Sequence, residues 1–161
     1  LSPNGEKLSE GIMSLTVIAA TTAPETPPAT EEPASTPEIR GTPDLVIRSI
    51  AMGVVDPRTG MFIQKKTFGS YEIVSFKFDV ANRGNGRSGN WYFTASLPTR
   101  TPTPYHSPLE QPLGPGDHIE FNLDFGSPTS GMVKINVDSA HTVAESDEYN
   151  NALAEYISIV Y

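Results

Sequence analysis

From Val74 onward the apolar side chains of this chain fall on every second position. Val74, Phe76, Phe78 and Val80 alternate with Ser75, Lys77 and Asp79; Trp91, Phe93, Ala95 and Leu97 alternate with Tyr92, Thr94 and Ser96; Ile119, Phe121, Leu123 and Phe125 alternate with Glu120, Asn122 and Asp124. A period of two places one set on each face of an extended strand, so each run buries one face and wets the other. Val133, Ile135 and Val137 repeat the pattern, and residues 152–160 form a last extended run whose inward face the pattern leaves ambiguous. An earlier strand spans 44–50, and residues 54–69 read as a hairpin excursion around Asp56-Pro57-Arg58-Thr59-Gly60, a turn with Pro second and Gly closing. Residues 98–112 hold five prolines and supply only edge-type or irregular structure. No helical period follows Pro43. Strands that each bury one face must pack sheet on sheet, which predicts an all-β, immunoglobulin-like two-sheet sandwich of about seven strands. The single Trp91 enters on the core side of the third strand, where such sandwiches place a large ring.

Ahead of the sandwich, Met13, Leu15, Val17 and Ala19 share one face of a further strand. Six prolines and four glutamates among Thr and Ser follow in residues 22–43, a composition that predicts an extended, semi-rigid spacer. The chain thus divides into an N-terminal strand segment, 1–22, a Pro/Thr/Glu linker, 23–42, and the sandwich, 43–161. A strand with one apolar face is not stable alone in water. Its sheet would be that of a preceding domain, its own sandwich, or a neighbouring copy that receives it as a donor strand. Beginning at Leu1, the chain reads as a processed product or an excised fragment.

With no cysteine, the chain has no disulfide, no thiolate metal site and no cysteine nucleophile. A net charge of -8 gives no basic footprint for phosphates, so nucleic acid is not an expected partner. The longest apolar stretch, 12–20, is too short to span a bilayer. His106, His118 and His141 form no H-E-x-x-H, and neither a G-x-S-x-G nor a phosphate-cradling glycine loop is present, so the chain is not expected to be an enzyme.

The stretch from Val137 to Asn151 joins the last two strands through an acidic, amide-rich loop, with Asp138, Glu145, Asp147, Glu148, Asn150 and Asn151 in close sequence. Its form, V-D-x-x-x-x-V-x-E-x-D-E-x-N-N, closely resembles the closing signature of the CARDB family, the cell-adhesion-related domain found in bacteria. Asp44-Leu45-Val46-Ile47, Val80-Ala81-Asn82-Arg83-Gly84 and Leu113-Gly114-Pro115-Gly116 match that family's other motifs in the same order. The resemblance covers about residues 43–161 and implies an extracellular or cell-surface protein of a bacterium or archaeon with an adhesive or structural role. Two readings of the loop stand open. Asp138, Glu145, Asp147 and Glu148 offer the hard oxygens that calcium takes; alternatively, Asn150 and Asn151 tie the loop backbone together while the acids are solvated. No other cofactor is indicated.

The partners expected are other copies of the chain or other surface proteins, and the role a filament subunit joined through Met13, Leu15, Val17 and Ala19. The alternative is a carbohydrate-binding or stalk module of a larger secreted protein, with Tyr92, Tyr105, Tyr149 and Tyr156 as a stacking platform for polysaccharide.

Overall fold

The computed structural model describes residues 13–21, 41–102 and 104–161. Ten strands form two five-stranded sheets, with no helix among the described residues. They are β1 (Met13–Thr21), β2 (Leu45–Val55), β3 (Phe62–Gln64), β4 (Thr67–Gly69), β5 (Val74–Asn82), β6 (Phe93–Ser96), β7 (Tyr105–His106), β8 (His118–Phe125), β9 (Gly131–Val137) and β10 (Ala152–Val160). One sheet runs β1-β8-β5-β2-β3 and the other β4-β10-β9-β6-β7.

The alternating residues meet between the sheets. Phe76, Phe78, Phe121, Phe93 and Trp91 are fully buried, and Phe78, Phe93 and Phe121 lie 5.1 to 5.3 Å apart by ring centroid. The indole N–H of Trp91 donates to the carbonyl of Gln111 at 3.0 Å, so the polar end of the ring is satisfied where its body is buried. On β10, Ile157 and Ile159 point inward, which resolves the face that the sequence pattern left ambiguous.

Three features depart from simple alternation. The excursion at 54–69 begins as the expected hairpin, β2 against β3, but Thr67–Gly69 then crosses to the other sheet and pairs parallel with β10. A register shift between Ser49 and Ala51 leaves Ile50 exposed and turns Met52 into the core. In the stretch after β5, Gly84 and Gly86 are not among the glycines with positive φ; they are required because a Cβ there would meet the backbone oxygens of Thr42 and Gly41 at 2.3 and 2.1 Å. Gly116, φ 83°, does use its freedom, in the turn after Leu113.

The register defines two ends of the sandwich. Thr21, Leu45, Asn82, His118, Val137 and Ala152 lie at one, with the closing loop; Met13, Val55, Val74, Phe125, Gly131 and Val160 lie at the other.

Candidate functional site: the closing loop and the edge strand

At the first end, one short loop binds together strands that are distant in sequence. Asp138 is completely buried with φ 44°, and its carboxylate accepts from the Thr142 N–H at 3.1 Å, the Thr142 hydroxyl at 2.6 Å and the Val143 N–H at 2.8 Å. That bonding folds the loop back so that Val143 enters the core. Glu145 then reaches across to β2, where it accepts from the Leu45 N–H at 2.8 Å, while its other oxygen accepts from the Asn151 amide at 3.1 Å. Glu148 accepts from the Glu145 N–H at 3.0 Å and pairs with His141 Nδ1 at 2.7 Å, and Asp147 caps the N–H of Tyr149 at 2.9 Å. Asn150 donates to the Asp44 carboxylate at 2.8 Å. The Asn151 carbonyl takes the Val137 N–H at 2.8 Å, closing the neck of the loop.

Asn82, at the end of β5, completes this end of the molecule. Its amide donates to the carbonyls of Gly86 at 2.7 Å and Leu113 at 2.9 Å, and its oxygen accepts from the N–H groups of Asp44 at 3.1 Å and Gly84 at 3.0 Å. One side chain thus satisfies four backbone groups from three segments, which is why a buried amide is stable there.

Burial and the bond between His141 and Glu148 shift the protonation of the loop's groups. Burial pushes the Glu145 carboxyl up to about 7, against the lowering effect of its bonds to Leu45 and Asn151 and with a further push from Glu148 and Asp138. The hydrogen bond with Glu148 raises His141 above its ordinary value and holds Glu148 below the usual carboxylate range.

These bonds favour the reading in which the loop organises itself. Among the described residues no three carboxylate or imidazole side chains converge as a metal cage, and Asp138, Glu145, Asp147 and Glu148 are each engaged by donors of the chain. The amide oxygens of Asn150 and Asn151 are buried without a protein donor. Two such oxygens fall well short of the six to eight that calcium takes. Nor do all four tyrosines stand on one exposed surface: Tyr105 packs inward against Phe93, 5.8 Å between ring centroids, whereas Tyr156 is on the outer side of its strand and Tyr149 is in the loop.

The N-terminal strand lies at the free edge of the first sheet, antiparallel to β8. Met13, Leu15 and Val17 are registered against Phe125, Leu123 and Phe121, the inward row of β8. A register shift between Val17 and Ala19 then sets Ala19 opposite Glu120; a period-two reading cannot see a bulge. Leu15 packs against the core, while Val17 remains 53% exposed.

No curated protein matches the chain. Among solved structures, it resembles the CARDB domain of a Pyrococcus furiosus protein crystallised with di-metal ions, at 18% identity, covering 82% of this chain and all of that one, with a TM-score of 0.54. The same Pyrococcus domain in solution gives 20% identity, 74% and 96% coverage and a TM-score of 0.55. A domain spanning residues 272–376 of a Methanosarcina acetivorans protein, described as a candidate cell surface protein, gives 20% identity, 74% and 93% coverage and a TM-score of 0.43. The CARDB family model matches residues 42–155, from just ahead of β2 into β10 and including the loop built around Asp138, Glu145 and Asn151, and the chain belongs to the CARDB family.

Proposed function

We propose that this chain is a non-catalytic adhesion module of a cell surface, and that β1 is exchanged between copies so that modules join head to tail as a filament. The observation that carries the reading is the position of β1. It occupies a sheet edge and pairs with β8 alone, and the sandwich behind it already has nine strands in two sheets. Such a strand supplies ladder hydrogen bonds and one apolar row without being interleaved in the core, which is the arrangement that strand addition between chains exploits.

The spacer bears on which copy receives the strand. Thr21 and Gly41 emerge at the same end of the sandwich, and β1 and β2 are three strand spacings apart, about 14 Å. A proline-rich segment of the intervening length extends to about 60 Å at 3.1 Å per residue. Flexible linkers favour the nearest acceptor, but stiff ones are poor at folding back over a short gap, so the proline content favours a neighbouring copy. The cell-surface placement is supported by what membership of the CARDB family, the cell-adhesion-related domain, implies.

Deleting residues 1–22 tests this. The truncated protein is expected to remain a folded monomer while the intact chain forms concentration-dependent oligomers by analytical ultracentrifugation, and the free peptide 11–22 is expected to block them. An intact chain that stays monomeric at millimolar concentration, or a truncated one that still assembles, contradicts strand exchange.

A further inference from the structure

The outer face of the second sheet carries a hollow at the closing-loop end. It has a volume of about 270 Å3 and is lined by Asn136 of β9, Ala152 of β10, and Ser139, His141, Tyr149 and Asn151 of the loop. Tyr149 is 96% exposed, and Asp147 holds only its backbone N–H, so the ring contributes nothing to the fold. Around it are polar groups with bonding capacity to spare. The side chains of Asn136 and Ser139 hydrogen-bond to no other described residue. Asn151 is 6% exposed, its amide N–H is taken by Glu145, and its oxygen has no donor among the described residues. His141 pairs with Glu148 through Nδ1, which leaves Nε2 unbonded.

The hollow adjoins a floor of small side chains. Asn136 and Lys134 point outward because Val133, Ile135 and Val137 point inward. Ala152 and Thr94 flank Asn136, and Ala154 and Ser96 flank Lys134. Tyr156, opposite Met132 and more than half exposed, ends the floor about 13 Å from Ala152 along β10. Protein partners seat bulky aromatic and aliphatic anchors in pockets at the centre of an interface, and this centre has none. A pyranose ring has C–H groups on its flat side and hydroxyls at its rim, so it stacks on a tyrosine while bonding the amides, hydroxyl and imidazole around it. Lys134 adds a charge. Sheet lysines commonly guard edge strands, but β9 is the middle strand of its sheet, and Lys134 forms no ion pair with a described residue. A lone cation at the centre of this floor, in a chain of net charge -8, complements a carboxylate on the ligand.

We propose that the outer face of the second sheet binds an extended, uronic-acid-bearing polysaccharide, with one sugar stacked on Tyr149 in the hollow, a carboxylate at Lys134 and a further sugar against Tyr156. The proposal names what the adhesion module adheres to, and so rests on that reading, but it does not require β1.

The test is a titration of the full chain, followed by amide NMR shifts, with hexamers of galacturonate and of mannuronate and with cellohexaose as the neutral control. An acidic hexamer is expected to move the amides of Lys134, Asn136, Tyr149 and Tyr156. It should bind at least about threefold more tightly than cellohexaose, an advantage that salt erodes. Tyr149→Ala should weaken binding about tenfold at unchanged melting temperature, and Lys134→Ala should remove the preference for the acidic hexamer. No shifts with either acidic hexamer at millimolar concentration, shifts confined to another face, equal binding of cellohexaose, or full affinity in Tyr149→Ala would each overturn the proposal. A chain that oligomerises through residues 1–22 but binds neither acidic hexamer refutes this site and leaves strand exchange standing. One that binds at this face and stays monomeric refutes exchange and leaves the site standing.

Discussion

The two ends of this sandwich are built on opposite principles. At the closing loop, Asn82, Asp138 and Asn151 are buried; Asp138, Glu145, Glu148 and Asn82 bond to backbone groups of four segments, and Asn150 and Asn151 donate to the carboxylates of Asp44 and Glu145. At the other end, Val55, Met61, Ile63, Tyr71, Ile73 and Tyr161 stand in solvent. Polar side chains are buried at one end and apolar ones exposed at the other, an inversion of what a surface loop and a strand end ordinarily show. The polar end can be buried because, apart from the amide oxygens of Asn150 and Asn151, its groups find partners within the chain. The apolar end has no such partners, so its residues contribute little to the isolated fold and remain available for contact. The two ends therefore divide the labour: one ties the strands together, the other leaves apolar side chains in solvent.

The largest test of that division falls on Asn82. Asn82→Ala strands the N–H groups of Asp44 and Gly84 and the carbonyls of Gly86 and Leu113, and is expected to cost about 3 kcal/mol in chemical denaturation. A loss under about 1 kcal/mol would show that water replaces these bonds freely and that the polar end does not hold the fold.

A smaller effect is expected from pH. A carboxyl whose folded value lies above its unfolded one favours folding when protonated, so the contribution of Glu145 is whole below about 4.5 and is lost as pH rises through about 7. The raised His141 acts in the same direction at its own, exposed position. Between pH 5 and 8.5 the intact protein should therefore lose stability; the part due to Glu145 is about 1 to 2 kcal/mol once the water near its partly exposed carboxyl is allowed for. Glu145→Gln, which keeps an oxygen for the Leu45 N–H, should flatten that part of the slope. An unchanged slope in the variant would locate the titration elsewhere.

At the apolar end the expected effect is smallest. Met61→Ser and Tyr71→Ser should change the stability of the monomer by no more than about 0.5 kcal/mol, as substitutions of exposed side chains usually do. A loss of 2 kcal/mol or more would mean that this end belongs to the core and would erase the contrast.

How much of this could be read from sequence depends on the range of the interactions. The strands with unbroken alternation, β5, β6, β8 and β9, were legible because burial in a sandwich imposes a period of two. β4 was not: three residues carry no period, and what fixes them is parallel pairing with β10 some 90 positions later. The shifts beside Ile18 and Ile50 were likewise invisible, since an extra residue reverses the facing of everything beyond it. In the closing loop the participants were legible as a motif, but not their partners. The bond from Glu145 to Leu45 joins residues 100 apart, and the role of Asn82 as a four-way tie appears only when three segments converge. What Gly84 and Gly86 are for was not legible either, because the backbone that approaches each of them, at Thr42 and Gly41, lies more than 40 positions earlier.

The account depends most on β1 being separable from a sandwich that stands without it. Native-state hydrogen exchange measures this directly, by comparing amides bonded across the β1–β8 ladder with those bonded across the β5–β8 ladder. The amides of β1 are expected to open at least about 2 kcal/mol below the free energy of global unfolding, while those between β5 and β8 exchange only when the whole domain unfolds. If the two ladders open together at the global value, β1 is an integral strand of the fold, and its exchange between copies is contradicted.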